Sequence, residues 1–200
     1  MRSNLGRFIV ICGIDGCGKS TQEAALGNSL ESSGRCVHRT KNPSDWYRHN
    51  PIVKEFLHSG KMPCTIEAIA LLAAVDRMIQ YDTEISPKLN LGMDVICNRW
   101  VYSTFAYFSA RGADMSFVES INSRVSRPDK AVLLTINPAE AIERIRARDG
   151  SNVKFEERDS RYLEKVQQQL THRWPSDFLI LDGMLDASLL AEAILKYVER

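Results

Sequence analysis

The chain has 200 residues, of which 44% are hydrophobic. That content is enough to bury one sizeable core, so we expect a single domain spanning residues 1–200. The 26 basic side chains nearly cancel the 25 acidic ones. Because no overall field arises from such a balance, neither a nucleic acid nor a membrane surface is expected as the main partner.

The cysteines and the N-terminal residues indicate the cellular compartment in which the protein is expected. Five cysteines cannot all pair, and Cys12, Cys36 and Cys97 lie in apolar runs typical of buried strands. This usage favours a reducing environment. The first seven residues lead into an apolar stretch that is too short for a secretory signal, and no run reaches the length of a membrane span. We therefore expect a cytoplasmic protein.

Short β-rich runs alternate with longer helical patterns along the chain. Strands are predicted at 8–12, 36–39, 94–97, 131–135 and 178–181. Helices are predicted between them, at 18–33, 65–87, 101–110, 138–148, 156–173 and 187–199. Alternation of this kind predicts βαβ units around a five-stranded parallel sheet. Residues 60–63 are expected to form a loop, and residues 149–152 a polar insert between two helices.

A phosphate-binding loop follows the first predicted strand. Residues 13–20 read GIDGCGKS and match the pattern G-x-x-x-x-G-K-[ST] between a strand and a helix. Backbone N–H groups of such a loop surround phosphate oxygens, Lys19 reaches the β and γ phosphates, and Ser20 is placed to bind Mg²⁺. The fold class is therefore α/β, a three-layer α/β/α arrangement of the P-loop NTPase type. The predicted ATP-binding residues are Gly13, Asp15, Gly16, Cys17, Gly18, Lys19, Ser20 and Thr21.

Cys17 admits two interpretations. A helix N-terminus lowers the pKa of a thiol, which would suit a redox switch. The simpler interpretation is that the loop needs a small side chain at this position.

One face of the predicted helix at 65–87 carries mostly small residues. Ile66, Ala70, Ala73 and Arg77 follow a 4-3-4 spacing and share this face, with Arg77 at its end. Such a face is suited to a flat base with Arg77 beside it. The alternative is that Arg77 is an ordinary solvated surface arginine.

A second group of polar residues follows the predicted strand at 94–97. Arg99 stands just past the carboxyl end of this strand, where open α/β sheets bind ligands, and its guanidinium is suited to a phosphate. Tyr107 lies four residues after Ser103 and three after Thr104, so all three can face one cleft. For Tyr107 the alternative is a core aromatic.

These segments together resemble the thymidylate kinase family of P-loop nucleoside-monophosphate kinases. The similar motifs are DGCGKSTQ at 15–22, LLAAVDR at 71–77, VICNRW at 95–100, STFAY at 103–107, RPD at 127–129 and ERIRAR at 143–148. The resemblance spans about residues 8–175. It implies an ATP-dependent kinase that transfers the γ-phosphoryl group to a nucleoside monophosphate, first of all dTMP or a related pyrimidine deoxynucleotide. It also implies Mg²⁺ as cofactor, ATP as co-substrate, and a homodimer.

The resemblance also implies roles for single residues. Asp15 would meet the sugar 3′-hydroxyl, Thr104 the base, and Tyr107 would crowd the 2′ position. The segment at about 148–156 would be a lid whose cations, Arg148 and Lys154, approach the transferred phosphoryl group; the alternative is that they are solvated surface residues. The predicted catalytic residues are Lys19, Arg99, Arg148 and Lys154. The predicted acceptor-binding residues are Asp15, Ala73, Arg77, Arg99, Ser103, Thr104 and Tyr107.

Four positions depart from the family pattern. Asn98 stands where the family has an aspartate, Lys41 and Asn42 replace Arg and Glu, and Ala73 replaces a phenylalanine that stacks on thymine. The absent carboxylates reduce the negative charge near Mg²⁺, and the absent ring leaves space for a larger or modified base.

Two other functions stay open from the sequence. A deoxynucleoside kinase has a neutral hydroxyl acceptor and would need a carboxylate within reach, for which Asp45 and Asp15 remain. A non-catalytic nucleotide-binding module would keep the loop without turnover. Retention of Lys19, Ser20, Arg77, Arg99 and the lid cations argues against that module.

Overall fold

The computed structural model describes residues 5–150 and 159–200. Its centre is one sheet of five parallel strands in the order β2-β3-β1-β4-β5. The strands are β1 Phe8–Cys12, β2 Val37–Lys41, β3 Asp94–Asn98, β4 Lys130–Thr135 and β5 Leu179–Asp182. The α/β fold with a five-stranded parallel sheet, predicted from the alternating pattern, is thereby confirmed.

Helices surround this sheet. They are α1 Lys19–Ser32, α2 Asp45–His49, α3 Pro51–Ser59, α4 Ile66–Gln80, α5 Ser86–Asn90, α6 Val101–Ala110, α7 Met115–Ile121, α8 Pro138–Asp149, α9 Ser160–His172 and α10 Ala187–Val198. Within the sheet, β1 is buried along its whole length because it lies between β3 and β4. Helix α1 packs against α10, and α6 packs against α9. The carboxyl ends of the parallel strands therefore share one edge, where the P-loop and Arg99 emerge.

The long helix predicted at 65–87 is interrupted. A π-helical turn, Tyr81–Ile85, separates α4 from α5, and the helical path continues to Asn90. Tyr81 packs against the rings of Phe8 and Trp100, with ring centroids 6.2 and 6.3 Å apart, and Ile85 is fully buried. The π-helical turn, where the helix departs from α-helical geometry, thus packs against the core.

The structure bears on the predicted burial of Cys36 and on the expected absence of a membrane span. Cys36 is exposed rather than buried, because β2 begins one residue later and forms the edge of the sheet. Within the two described ranges, no helix combines the length and the apolar character needed to cross a membrane.

Candidate active site

The P-loop wraps tightly between β1 and α1. Gly13, Gly16 and Gly18 have φ values of 147°, 82° and 94°, which favour glycine. A Cβ atom at Gly13 would lie 2.4 Å from the Cys17 sulfur, and one at Gly16 would lie 2.5 Å from a backbone oxygen of α8. Because the N-cap of α1 is Gly18, no side chain caps the first N–H groups of the helix. These donors can serve an anion.

Lys19 lies folded inside the loop. Its ammonium donates to the Ile14 carbonyl at 2.6 Å and lies 3.7 Å from the Asp15 carboxylate. Burial, and secondarily the charge of Arg99, lowers the pKa of Lys19. The Cys17 thiol is fully buried 3.8 Å from this ammonium. Such burial favours a packing role for Cys17 over an accessible redox switch.

The loop forms one wall of a strongly cationic cleft. Six basic residues line it: Lys19, Lys41, Arg48, Arg99, Arg144 and Arg148. Ser20, Thr21 and Asn98 complete its polar side. A cleft of this charge is complementary to a triphosphate.

A second cleft opens beside the first. Its wall is largely apolar and includes Tyr47, Leu57, Trp100, Phe108 and Leu163. Six of the seven predicted acceptor-binding residues line this cleft: Asp15, Ala73, Arg99, Ser103, Thr104 and Tyr107. Tyr107 thus faces the cleft rather than serving as a core aromatic alone.

The two clefts share Asp15, Arg48 and Arg99. Arg99 Nη2 lies 2.9 Å from the Asp15 carboxylate and donates to the Tyr107 hydroxyl at 3.2 Å. Burial alone would lower the pKa of Arg99, but the charge of Asp15 raises it beyond its ordinary value. Arg99 is therefore a permanent cation at the point where the two clefts meet.

Arg77 lies behind the wall of the apolar cleft rather than on its surface. It is 1% exposed, so the surface interpretation is wrong. Its guanidinium donates short hydrogen bonds to Asn122 and Thr104 and lies 5.7 Å from the centroid of the Trp100 ring. Burial lowers the pKa of Arg77 to about 10, which leaves it charged at neutral pH. Arg77 therefore lies behind Thr104 at the apolar cleft. It does not reach the junction of the two clefts, where Arg99 lies.

Arg48 lines both clefts but is not among the residues predicted from the sequence. It lies on α2 and donates from Nε to the Pro43 carbonyl at 2.9 Å. A usable signal was present: the Ser44 side chain accepts from Trp46 N and caps α2, and Asn50 caps α3 with proline at its first position. The caps predict two short helices, but the direction in which Arg48 points depends on the tertiary fold.

The structure describes only the first residues of the predicted lid. Lys154 and residues 151–156 lie outside the described residues. Arg148 lines the phosphate cleft and pairs with Asp149 at 2.6 Å. Arg144 lines the same cleft and pairs with Glu140 at 3.0 Å.

The start of α1 offers oxygen atoms suited to Mg²⁺. The Ser20 hydroxyl is exposed toward the phosphate cleft and accepts from Asn98 Nδ2 at 3.4 Å. The same nitrogen donates to Glu23 Oε2 at 2.9 Å. Hydroxyl and carboxylate oxygens are hard donors, which Mg²⁺ prefers, so the residues fit the ion that the loop implies. Glu23 was not among the predicted site residues.

A donor phosphate held by the loop and an acceptor held in the apolar cleft would meet at Arg48 and Arg99. This arrangement on a parallel sheet defines the class of the protein, a P-loop kinase acting on nucleotides. A sequence profile described as thymidylate kinase matches residues 11–194. The chain belongs to the thymidylate kinase family, and the resemblance seen in the motifs is confirmed.

Three archaeal relatives, each described as a probable thymidylate kinase, show the extent of the similarity. The protein of Pyrobaculum calidifontis is 35% identical over 96% of this chain and 96% of its own length. That of Pyrococcus horikoshii is 36% identical over 84% and 81% of the two chains. That of Staphylothermus marinus is 31% identical over 100% of this chain and 96% of its own.

Proposed function

We propose that this protein transfers the γ-phosphoryl group of ATP to dTMP or a related pyrimidine deoxynucleotide, giving the diphosphate and ADP. The observation that carries the proposal is the pair of arginines, Arg48 and Arg99, shared by the phosphate cleft and the apolar cleft. Two cations at that junction suit an acceptor that is itself a phosphate. The names of the archaeal relatives support thymidylate as the first acceptor to test.

We infer a division of labour among the site residues, and their contacts support it. Lys19 and the loop N–H groups hold the donor; Ser20 would hold Mg²⁺, which would neutralise phosphate charge. Arg99 and Arg48 hold the acceptor phosphate. On the base side, Arg77 positions Thr104, with which it is hydrogen bonded. Arg148 adds positive charge at the transferred group, and the whole chain acts as one catalytic domain.

Acid–base chemistry separates a monophosphate from a nucleoside as acceptor. A monophosphate, with a second pKa near 6, is largely dianionic at pH 7 and needs no general base. A nucleoside hydroxyl would need a free carboxylate. Asp15 is paired with Arg99 at 2.9 Å, and the side chain of Asp45 is 64% exposed and paired with Lys41 at 2.7 Å. Asn42 is buried, with its amide donating to Gln80 at 3.0 Å. These pairings favour the monophosphate.

The assembly and its location are also proposed. Helix α4 exposes four apolar side chains on its outer side, Leu71, Val75, Met78 and Ile79, between 43% and 51% exposed. A contiguous apolar stripe on a surface helix is typical of a protein contact, and we propose that α4 forms a homodimer interface. The free thiols suit the cytoplasm.

The test is ADP release from Mg-ATP with a panel of nucleosides and nucleoside monophosphates. We expect dTMP and related monophosphates to exceed every nucleoside in kcat/KM. Lys19→Ala should abolish release while the protein stays folded by circular dichroism, because Lys19 supplies charge to the donor phosphates. Lys165→Ala, at an exposed position on α9, is the matched control and should behave as the wild type.

Two outcomes would contradict the proposal. A nucleoside with the higher kcat/KM would favour the deoxynucleoside kinase alternative. Near wild-type turnover in folded Lys19→Ala would remove the kinase function itself.

A further inference from the structure

Glu23 is tied to the phosphate cleft through Asn98. The Asn98 amide nitrogen donates both to the Ser20 hydroxyl at 3.4 Å and to Glu23 Oε2 at 2.9 Å. Glu23 lies three residues after Ser20 on α1, so the two side chains leave the same side of the helix. One donor therefore holds a hydroxyl and a carboxylate next to each other.

The charges around the cleft leave few other anions for a divalent cation. The carboxylate on the cleft wall, Asp15, is paired with Arg99 and with Lys19. At the end of β3, residue 98 is a neutral amide. Among the described residues, Glu23 is the carboxylate that these hydrogen bonds connect to Ser20.

The basic residue near Glu23 is already engaged. Arg39 donates to Glu31 at 2.8 Å and to Asn28 at 2.8 Å. Within the two described ranges, Glu23 takes part in no ion pair at contact distance, and its side chain is half-buried. Its negative charge is therefore not neutralised by a contact that would remove it from the cleft.

We propose that Glu23, positioned by Asn98, supplies the negative charge beside Ser20 that Mg-ATP requires, taking the part that a carboxylate at residue 98 would otherwise play. The inference rests on the proposed kinase function. Mg²⁺ binds through few protein carboxylates and keeps several waters, so a carboxylate next to a direct ligand contributes to its affinity. Asn98 is a positioning residue in this assignment, because it acts through Glu23 and Ser20.

The test compares nucleotide affinity with and without the metal. Dissociation constants of ATP are measured by calorimetry in Mg²⁺ and in EDTA for the wild type and for Glu23→Gln. We expect Glu23→Gln to bind Mg-ATP roughly tenfold more weakly, as for other residues that support a metal ligand, with metal-free ATP affected less than twofold. Glu164→Gln, at an exposed position on α9, is the matched control and should change neither constant.

A charge swap makes the test stricter. In the double variant Asn98→Asp/Glu23→Gln, the carboxylate moves to the other end of the same hydrogen bond, which now runs from the new amide to the new acid. Affinity for Mg-ATP should return to within about threefold of the wild type, since the charge beside Ser20 is restored.

Three results would overturn the assignment. The first is a dissociation constant for Mg-ATP in Glu23→Gln equal to that of the wild type. The second is equal weakening with and without metal, which indicates a structural role alone. The third is a swapped variant that stays as weak as Glu23→Gln. These results differ from failure of the proposed function, in which wild-type protein would phosphorylate no nucleoside monophosphate whatever its affinity for Mg-ATP.

Discussion

Arg99 adopts a left-handed backbone conformation, with φ of 70°, although it is not a glycine. Such a conformation costs on the order of 1–3 kcal/mol and persists when surrounding contacts stabilise it. The Arg99 N–H donates to the Ile11 carbonyl at 2.9 Å, and its guanidinium contacts Asp15 and Tyr107. The strained turn directs the guanidinium to the junction of the two clefts, where charge is needed.

Ala73 decides how much room the base has. It is 1% exposed and lies on the wall of the apolar cleft, one helical turn before Arg77. We expect a pyrimidine monophosphate with a bulky 5-substituent to have a higher kcat/KM than dTMP. Ala73→Phe should invert this preference by roughly 10–200-fold, the range for small differences of size in an apolar pocket.

The control for this inversion is Leu71→Phe, on the outer side of the same helix. Its preference should equal that of the wild type. If Ala73→Phe leaves the ratio of the two acceptors unchanged, the base does not lie against this face of α4.

At the scale of elements, Asp94 connects three strands at their amino ends. It begins β3, accepts from Arg7 N at 2.9 Å and Nη2 at 2.6 Å just before β1, and contacts Arg35 just before β2. Burial of Asp94 would raise its pKa, but hydrogen bonds from Arg35 and Arg7 lower it to about 2. The group is therefore more acidic in the folded chain than in the unfolded one.

Linkage gives the sign of the pH dependence. Because the folded pKa lies below the ordinary value of 3.8, the stabilisation is fully present above about pH 4 and is lost as the pH falls towards 2. It amounts to at most about 2 kcal/mol, since the Arg35 side chain is 41% exposed and solvent screens part of the interaction. Asp94→Asn should lower the free energy of unfolding at pH 7 by about 1–2 kcal/mol and flatten its dependence between pH 4 and 2.

Urea denaturation at several pH values measures both effects. Asp177→Asn is the control, because Asp177 and its partner Arg127 are each more than half exposed. Exposed pairs contribute little, so this variant should change stability by less than about 1 kcal/mol. Equal slopes for Asp94→Asn and the wild type would show that Asp94 does not contribute in this pH range.

At the scale of the whole molecule, the apolar stripe on α4 is the feature to test. Val75→Glu combined with Met78→Glu places two charges where each protomer would bury apolar surface, so it should convert a dimer to a monomer in sedimentation velocity. Lys165→Glu, an exposed charge reversal on α9, should leave the association state as it is. A wild-type protein that sediments as a monomer at tens of micromolar would exclude this interface.

Local signals in the sequence predict most of the scaffold. All strands but the edge strand β2, which reads VHRTK, contain short apolar runs. The P-loop is recognisable because backbone geometry restricts Gly13 and Gly16 to glycine. Residues that directly follow a strand or recur on one helix face, such as Arg99, Ser103 and Thr104, can also be recognised from the sequence. Hydrophobic periodicity and the spacing of residues within a motif depend only on residues close together in the chain, so the sequence by itself determines them.

Contacts between distant segments decide the rest. Arg77 follows the predicted helix face, yet Asn122 and Thr104, 45 and 27 residues away in the chain, hold its guanidinium behind the cleft wall. Arg48 reaches the junction, and Glu23 approaches Ser20 through Asn98, 75 residues later. The sequence by itself determined the sheet, the loop and the family. The tertiary structure alone decided which charged groups share a cleft, because that depends on segments brought together only when the sheet assembles.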